Sequence, residues 1–140
     1  MIRYFDASAL AKRYVQEQDT AAVQRLLTHG SSATSCLSLT EVASAIVRRC
    51  REGAFSVAER DRALAALQAD FRTLYVVELS PAISTITLDL LVRHQLRAGD
   101  AVQLASCLYL QQQLGQPVPF VVYDTRLIAA ARQEALRILP

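Results

Sequence analysis

The sequence predicts an α/β fold in which a central parallel sheet of about four to five strands is flanked by helices. Short apolar, β-prone stretches alternate with longer segments in which apolar residues recur every three or four positions. This alternation is typical of parallel strands joined by helical crossovers. Because the 140 residues contain no internal repeat, low-complexity tract or linker, we expect residues 1–140 to form a single domain.

The first half of the chain is predicted to form two strands and four helices. The apolar run at its start is β-prone, and a second such run follows Gly30. The clearest helix has apolar side chains at helical spacing from Leu39 to Cys50, and Gly53 ends it. Ser56 begins the capping-box pattern of the next helix. In chain order, the predicted elements are strand 2–5, helix 7–15, helix 19–30, strand 33–37, helix 39–53 and helix 56–71.

The second half is predicted to add three strands and three helices. Ser80 and Pro81 are a typical N-cap and first helical residue. The helix that follows Gly99 is apolar around much of its circumference, which indicates deep burial. A turn at residues 115–117 separates it from the next strand. In chain order, the predicted elements are strand 74–79, helix 80–94, helix 100–114, strand 120–123, helix 125–134 and strand 136–139.

The composition is that of a folded domain with no strong preference for one kind of partner. Hydrophobic residues make up 52% and charged residues 20% of the chain, and the net charge of +2 is too small to indicate nucleic acid by itself. Neither a membrane span nor a signal peptide is recognisable, so we expect a cytoplasmic protein without membrane contact. Cys36, Cys50 and Cys107 lack a metal-binding spacing, which favours reduced thiols over a zinc site.

Four carboxylates, Asp6, Glu41, Asp100 and Asp124, lie close after apolar strands or at predicted helix starts. The carboxyl ends of parallel strands meet at one edge of a sheet, where ligands bind. Two unit charges about 4 Å apart repel by roughly 4 kcal/mol at an effective dielectric near 20. If the four acids converge, we expect a hard divalent cation such as Mg²⁺ or Mn²⁺ to hold them together.

Each of these acids also has a purely structural interpretation. Aspartate is a favoured N-cap, so Asp6, Asp100 and Asp124 could each cap a helix. Glu41 lies three residues after Ser38, which is the spacing of a capping box. If all four acids are caps, the protein is a non-catalytic module that works by binding a partner.

Four segments resemble PIN-domain ribonucleases, especially the VapC-like toxins of toxin–antitoxin modules. The order and spacing of the segments match the family and bracket nearly the whole chain. They are residues 6–15 (DASALAKRYV), 38–45 (SLTEVASA), 96–105 (LRAGDAVQLA) and 120–127 (FVVYDTRL).

This resemblance implies a PIN-like three-layer α/β fold and a Mg²⁺- or Mn²⁺-dependent endoribonuclease that hydrolyses RNA with a metal-activated water. It implies that Asp6 and Asp100 are the firmest metal ligands. Glu41 and Asp124 would bind a second ion or act partly through water. Ser8 would hold the Asp6 carboxylate in place.

The resemblance also implies three partners: an RNA substrate, a cognate VapB-like antitoxin and a second copy of the chain in a homodimer.

Arg97, close in sequence to Asp100, is a candidate for binding a substrate phosphate. A basic cluster around Gly53 could contact RNA or a partner, or it could be a solvated helix end that complements the helix dipole. The cluster consists of Arg48, Arg49, Arg51, Arg60 and Arg62.

Two positions depart from the family pattern, since Gln103 stands where histidine is common and Val122 where a hydroxyl residue is common.

Other families with an acidic pocket on a parallel sheet fit the sequence less well. Asp6-Ala7-Ser8 lacks the Asp-x-Asp of haloacid-dehalogenase-like phosphatases. Receiver domains need a lysine after the last core strand, and the only lysine here is Lys12.

Overall fold

The computed structural model describes all 140 residues and contains five strands and seven helices. The helices and strands alternate through most of the chain, as predicted. In chain order, the elements are β1 (Ile2–Phe5), α1 (Ala7–Ala11), α2 (Thr20–Thr28), β2 (Ser31–Ser35), α3 (Leu37–Arg51), α4 (Val57–Phe71), β3 (Tyr75–Val77), α5 (Pro81–Arg93), α6 (Ala98–Leu114), β4 (Phe120–Val121), α7 (Thr125–Gln133) and β5 (Ile138–Leu139).

The strands form one sheet in the order β3-β2-β1-β4-β5, and every neighbouring pair is parallel. The predicted α/β class with a central parallel sheet is therefore confirmed. The chain extends the sheet from β1 through β2 to β3 on one side, and later adds β4 and β5 on the other. The strand order thus reverses between β1 and β4. In open parallel sheets, a crevice for ligands lies at the carboxyl ends of the strands that flank such a reversal.

Two hydrophobic cores cover the two faces of the sheet and produce three layers. Successive residues of a strand point to opposite faces, so Tyr4 and Phe120 enter one core while Phe5 and Val121 enter the other. Helices α5, α6 and α7 complete the first core, and α1 to α4 complete the second. The rings of Tyr4 and Phe120 meet edge to face with their centroids 5.6 Å apart.

The second strand begins earlier than the sequence predicts. It covers Ser31–Ser35 instead of residues 33–37, because Ser31 pairs with Ile2 of the central strand. Serine has no strong strand preference, so the pairing with β1 is what makes this segment extended. Other bounds also differ: α1 ends at Ala11, α3 begins at Leu37, α6 begins at Ala98, and β3, β4 and β5 are shorter than the predicted runs.

The three cysteines are free thiols that do not pair with one another. Cys107 is buried, and Cys36 and Cys50 are half-buried. Burial raises the pKa of the Cys107 thiol, which keeps it protonated and chemically inert. No helix combines the length and the apolar character that crossing a membrane requires.

Asp70, at the end of α4, links that helix to the segment after α1. Its Oδ2 accepts a 2.7 Å hydrogen bond from Arg13 Nε and a 2.6 Å hydrogen bond from Tyr14 Oη. Partial burial opposes ionisation of Asp70, but these two donors outweigh it and hold the pKa of the carboxyl below its usual 3.8. The ionised form therefore stabilises the contact between the two segments.

We expect Asp70→Asn to lower the free energy of unfolding at pH 7 by about 1 kcal/mol, the upper range for exposed ion pairs. Because the folded-state pKa is depressed, this stabilisation is present above the unfolded value of about 3.9 and is lost as the pH falls through the folded value. Urea denaturation of both proteins at pH 7 and near pH 3 should show the difference shrinking in acid. Asp61→Asn, at an aspartate whose side chain is 61% exposed, is the matched control and should change little.

Candidate active site

Two of the four acids lie at the crevice where the strand order reverses. Asp6 directly follows β1, and Asp124 follows β4 as the N-cap of α7. Each uses one carboxylate oxygen as a helix cap: Asp6 Oδ1 accepts from the Ala9 N–H at 2.8 Å, and Asp124 Oδ1 accepts from the Leu127 N–H at 2.9 Å. The capping interpretation is therefore correct for both, yet the second oxygen of each carboxylate is left without a hydrogen bond.

The other two acids do not cap helices. Because α3 begins at Leu37, Glu41 lies in its second turn, and the capping-box interpretation of Ser38 and Glu41 is wrong. Asp100 lies in the first turn of α6, whose N-cap is Arg97 and not Asp100. The carboxylates of Glu41 and Asp100 make no hydrogen bond and no ion pair, so the fold gives them no structural partner.

Burial and the charges of neighbouring acids raise the pKa values of three of the four carboxylates, those of Asp6, Glu41 and Asp100. Burial, and then the charges of the other three acids, raise the pKa of Asp6 from 3.8 to about 7, against the effect of the Ala9 N–H. Partial burial and the charge of Asp100 raise the pKa of Glu41. Partial burial and the charge of Asp124 likewise raise the pKa of Asp100. The charges of Glu41, Asp100 and Asp124 therefore all reach Asp6.

A cleft of about 490 Å³, here called the acidic cleft, contains Glu41, Asp100 and Asp124. Asp6 is only 2% exposed. Gly99 allows Glu41 to lie against the start of α6, since a Cβ at that position would stand 2.9 Å from Glu41 Oε1. The arrangement therefore presents carboxylate oxygens from α3, α6 and the β4–α7 connection to one space.

A second groove of about 790 Å³ adjoins the acidic cleft and shares Glu41 and Asp124 with it. The sequence does not predict this adjoining groove, because its walls come from α1, α3 and the connection after β4. Lys12 contributes its cation there, with Nζ 4.8 Å from the centroid of the Tyr123 ring. The basic side chains of the two spaces are Lys12, Arg48, Arg97 and Arg126.

The four acids fit a hard divalent cation, because each of them has at least one carboxylate oxygen that makes no hydrogen bond. No group of three or more acidic, histidine or cysteine side chains is already arranged to hold a metal ion. Chelation by three of these acids therefore requires their side chains to approach one another. An ion between them would offset both the burial and the neighbouring negative charges that raise the pKa of Asp6.

Three further positions singled out from the sequence are Ser8, expected to hold the Asp6 carboxylate, and Val122 and Gln103, which depart from the family pattern. Ser8 lines both spaces, but the Ala9 N–H, not the Ser8 hydroxyl, holds the Asp6 carboxylate. Val122 is buried in a hydrophobic core and does not line the acidic cleft. Gln103 is buried and hydrogen-bonded to two side chains on other elements, which no local pattern reveals.

The sequence matches the PIN domain family over residues 3–134. A search of curated proteins finds no significant match. Among solved structures, the chain is similar to VapC20 of Mycobacterium tuberculosis, described as a Sarcin-Ricin loop cleaving toxin, with a TM-score of 0.70 and 21% identity over 93% of this chain and 95% of that one. It is similar to VapBC2 of Rickettsia felis, bound to a promoter DNA fragment, with a TM-score of 0.69 and 11% identity over 99% and 98%. It is also similar to FitAcB of Neisseria gonorrhoeae, with a TM-score of 0.62 and 12% identity over 100% and 97%.

Proposed function

The chain belongs to the PIN domain family, and we propose that it is a metal-dependent endoribonuclease whose site consists of Asp6, Glu41, Asp100 and Asp124. One observation carries the proposal: the carboxylates of Glu41, Asp100 and Asp124 line one cleft and their charges reach the buried Asp6, and two of the four acids have no structural partner. Such a set is unfavourable without a cation, and it is retained where a cation is needed for chemistry.

In this proposal the chain's own residues hold the ion and orient the RNA. Asp6 and Asp100 supply the firmest oxygen ligands, and the Ala9 N–H keeps the Asp6 carboxylate in one orientation. Glu41 and Asp124 line the acidic cleft together with Asp100, whereas Asp6 is buried and does not line it. Bound Mg²⁺ or Mn²⁺ would make a water molecule more acidic and would neutralise charge on the phosphate. The expected products of hydrolysis have 5′-phosphate and 3′-hydroxyl ends.

The basic side chains around the acids are suited to the RNA backbone. Arg97 lines both the acidic cleft and the adjoining groove. Of the arginine cluster around Gly53, only Arg48 lines the adjoining groove with the acids. We therefore assign Arg97 and Arg48 to substrate phosphates and leave the rest of the cluster as a solvated helix end.

Arg48→Gln should weaken binding of a single-stranded RNA. A plot of the logarithm of the association constant against the logarithm of salt concentration should become less steep by about 0.7, the value for loss of one phosphate contact. The measurement is fluorescence anisotropy at several salt concentrations, in an Asp100→Asn background so that the RNA stays intact. Arg51→Gln is the matched control, since Arg51 is exposed on the same helix but does not line the groove. Equal effects of both variants would show that only overall charge matters.

The similar solved structures support a role as the toxin of a toxin–antitoxin module, because they include VapC and FitAB proteins of such systems. On this proposal a VapB-like antitoxin binds the chain and restrains it, and two copies form a homodimer. Brief expression of the wild type, compared with Asp6→Asn, should arrest growth of a bacterial host and produce mapped RNA cleavage sites only in the wild type.

Metal removal tests the central proposal directly. The purified protein, stripped with EDTA, should be inactive on RNA and should regain cleavage when Mn²⁺ or Mg²⁺ is added. Calorimetry should show that the wild type binds Mn²⁺ and that Asp100→Asn binds it more weakly. A folded protein that neither binds Mn²⁺ nor cleaves RNA would overturn the proposal.

A further inference from the structure

A continuous chain of buried hydrogen bonds connects the central strand with the two helices that carry Glu41 and Asp100. Tyr4 Oη lies 2.7 Å from Gln103 Oε1, and Gln103 Nε2 lies 2.9 Å from Ser38 Oγ. Ser38 Oγ is 2.7 Å from Thr34 Oγ1, which is 2.8 Å from the Phe5 carbonyl oxygen. The four side chains are at most 1% exposed, so water does not compete for these bonds.

The direction of every bond in this chain is determined by its two ends. The Tyr4 hydroxyl donates a hydrogen bond to Gln103 Oε1, which as an amide oxygen can only accept. The Gln103 amide must then donate through Nε2 to Ser38. At the other end the Phe5 carbonyl oxygen can only accept, so the Thr34 hydroxyl donates its one hydrogen bond to that oxygen. The Ser38 hydroxyl must then donate to Thr34 Oγ1. Each of the three hydroxyls donates one hydrogen bond, and the Gln103 amide uses both its oxygen and its nitrogen, which stiffens the network.

At one end of this hydrogen-bond network lies the peptide group between Phe5 and Asp6. The Phe5 carbonyl of this peptide accepts from Thr34, and the Asp6 N–H on its other side donates to the Val121 carbonyl at 3.2 Å. The peptide plane is therefore held from β2 and from β4 at once. Its orientation sets the direction in which the Asp6 side chain leaves the backbone.

The Ser38–Gln103 hydrogen bond, in the middle of this network, joins helix α3 to helix α6. Ser38 lies one turn before Glu41 on α3, and Gln103 lies one turn after Asp100 on α6. Residues one turn apart share a helix face, so the bond between Ser38 and Gln103 sets the separation of the helical turns that carry the two acids.

We propose that Gln103, Ser38 and Thr34 are positioning residues that set the spacing of Asp6, Glu41 and Asp100 for metal binding; this rests on the proposed function. The acids are not already arranged as a chelate. The network fixes the relative positions of their three backbone segments, so an ion needs only to draw in the side chains. Asp124 is outside the network and is held by its own cap at Leu127.

A double-mutant cycle on Mn²⁺ affinity tests this role in the intact chain without depending on catalysis. Gln103→Leu and Ser38→Ala should each raise the Mn²⁺ dissociation constant at least about ten-fold in calorimetry, the effect typical of residues that orient metal ligands. Because both break one network, the double variant should exceed the larger single effect by no more than about three-fold. Leu110→Ala, buried on the same helix but outside the network, should lower the melting temperature and leave the dissociation constant unchanged.

The outcomes separate this proposal from the proposed function. If the wild type binds no Mn²⁺ and cleaves no RNA, the proposed function is wrong. If the wild type binds Mn²⁺ and both single variants bind it equally well, the positioning role is wrong. Multiplicative effects in the double variant would show two independent contacts and would also overturn the network. If Gln103→Leu does not fold, Tyr4→Phe, which removes only the first donor, takes its place in the cycle.

Discussion

Replacing Asp100 by asparagine is expected to lower the rate of RNA cleavage at least about a hundred-fold, equivalent to about 2.7 kcal/mol of transition-state stabilisation. The Asp100 carboxylate makes no hydrogen bond or ion pair, so its replacement removes the proposed metal ligand and little else. Asparagine has nearly the same size as aspartate, but it is uncharged and has one carboxylate oxygen fewer. Because partial burial and the charge of Asp124 both oppose ionisation of Asp100, the variant should fold at least as stably as the wild type.

The measurement for Asp100→Asn is single-turnover cleavage of an RNA in Mn²⁺, with the melting temperature determined in EDTA. Asp61→Asn is the matched control, since Asp61 is exposed on α4 and pairs only with neighbouring Arg60. It should cleave at the wild-type rate. An Asp100→Asn protein that cleaves RNA as fast as the wild type would rule out the proposed metal centre.

Phe120→Ala should lower the free energy of unfolding by about 3–5 kcal/mol, the range for removing a buried aromatic ring. Phe120 is fully buried in β4, pairs with Tyr4 of β1 and Ile138 of β5, and packs edge to face on the Tyr4 ring. The loss is a large part of the total of about 5–15 kcal/mol that is usual for a domain. Urea denaturation measures it.

Leu88→Ala provides the control for Phe120→Ala. Leu88 is also a large apolar residue, but it is 66% exposed on α5. Its truncation should change the free energy of unfolding by less than about 0.5 kcal/mol. A small effect of Phe120→Ala, similar to that of Leu88→Ala, would mean that β4 does not contribute to the core as described.

The succession of strands and helices was predictable because its signals are local. Apolar spacing from Leu39 to Cys50, the capping box at Ser56 and the Ser80-Pro81 pair each lie within a few residues of the element that they predict. The start of β2 was not predictable in this way. Ser31 is extended because it pairs with Ile2, and nothing in its own neighbourhood indicates this.

The four acids could be proposed from the sequence because each follows an apolar strand or lies near a helix start, and because the surrounding segments resemble one family. Their separate structural roles could not. Asp6 and Asp124 are true helix caps, whereas Glu41 and Asp100 are not. The difference depends on where α3 and α6 begin, and local propensity is least reliable at helix ends.

The sequence by itself determined the type and order of the elements, the parallel sheet and the four carboxylates as candidate ligands. Only the tertiary structure decided which acids are free of structural partners and which hydrogen bonds join the elements that carry them. The physical reason is separation along the chain. The bonds from Gln103 to Ser38 and to Tyr4 join residues 65 and 99 positions apart, and no local pattern encodes such contacts.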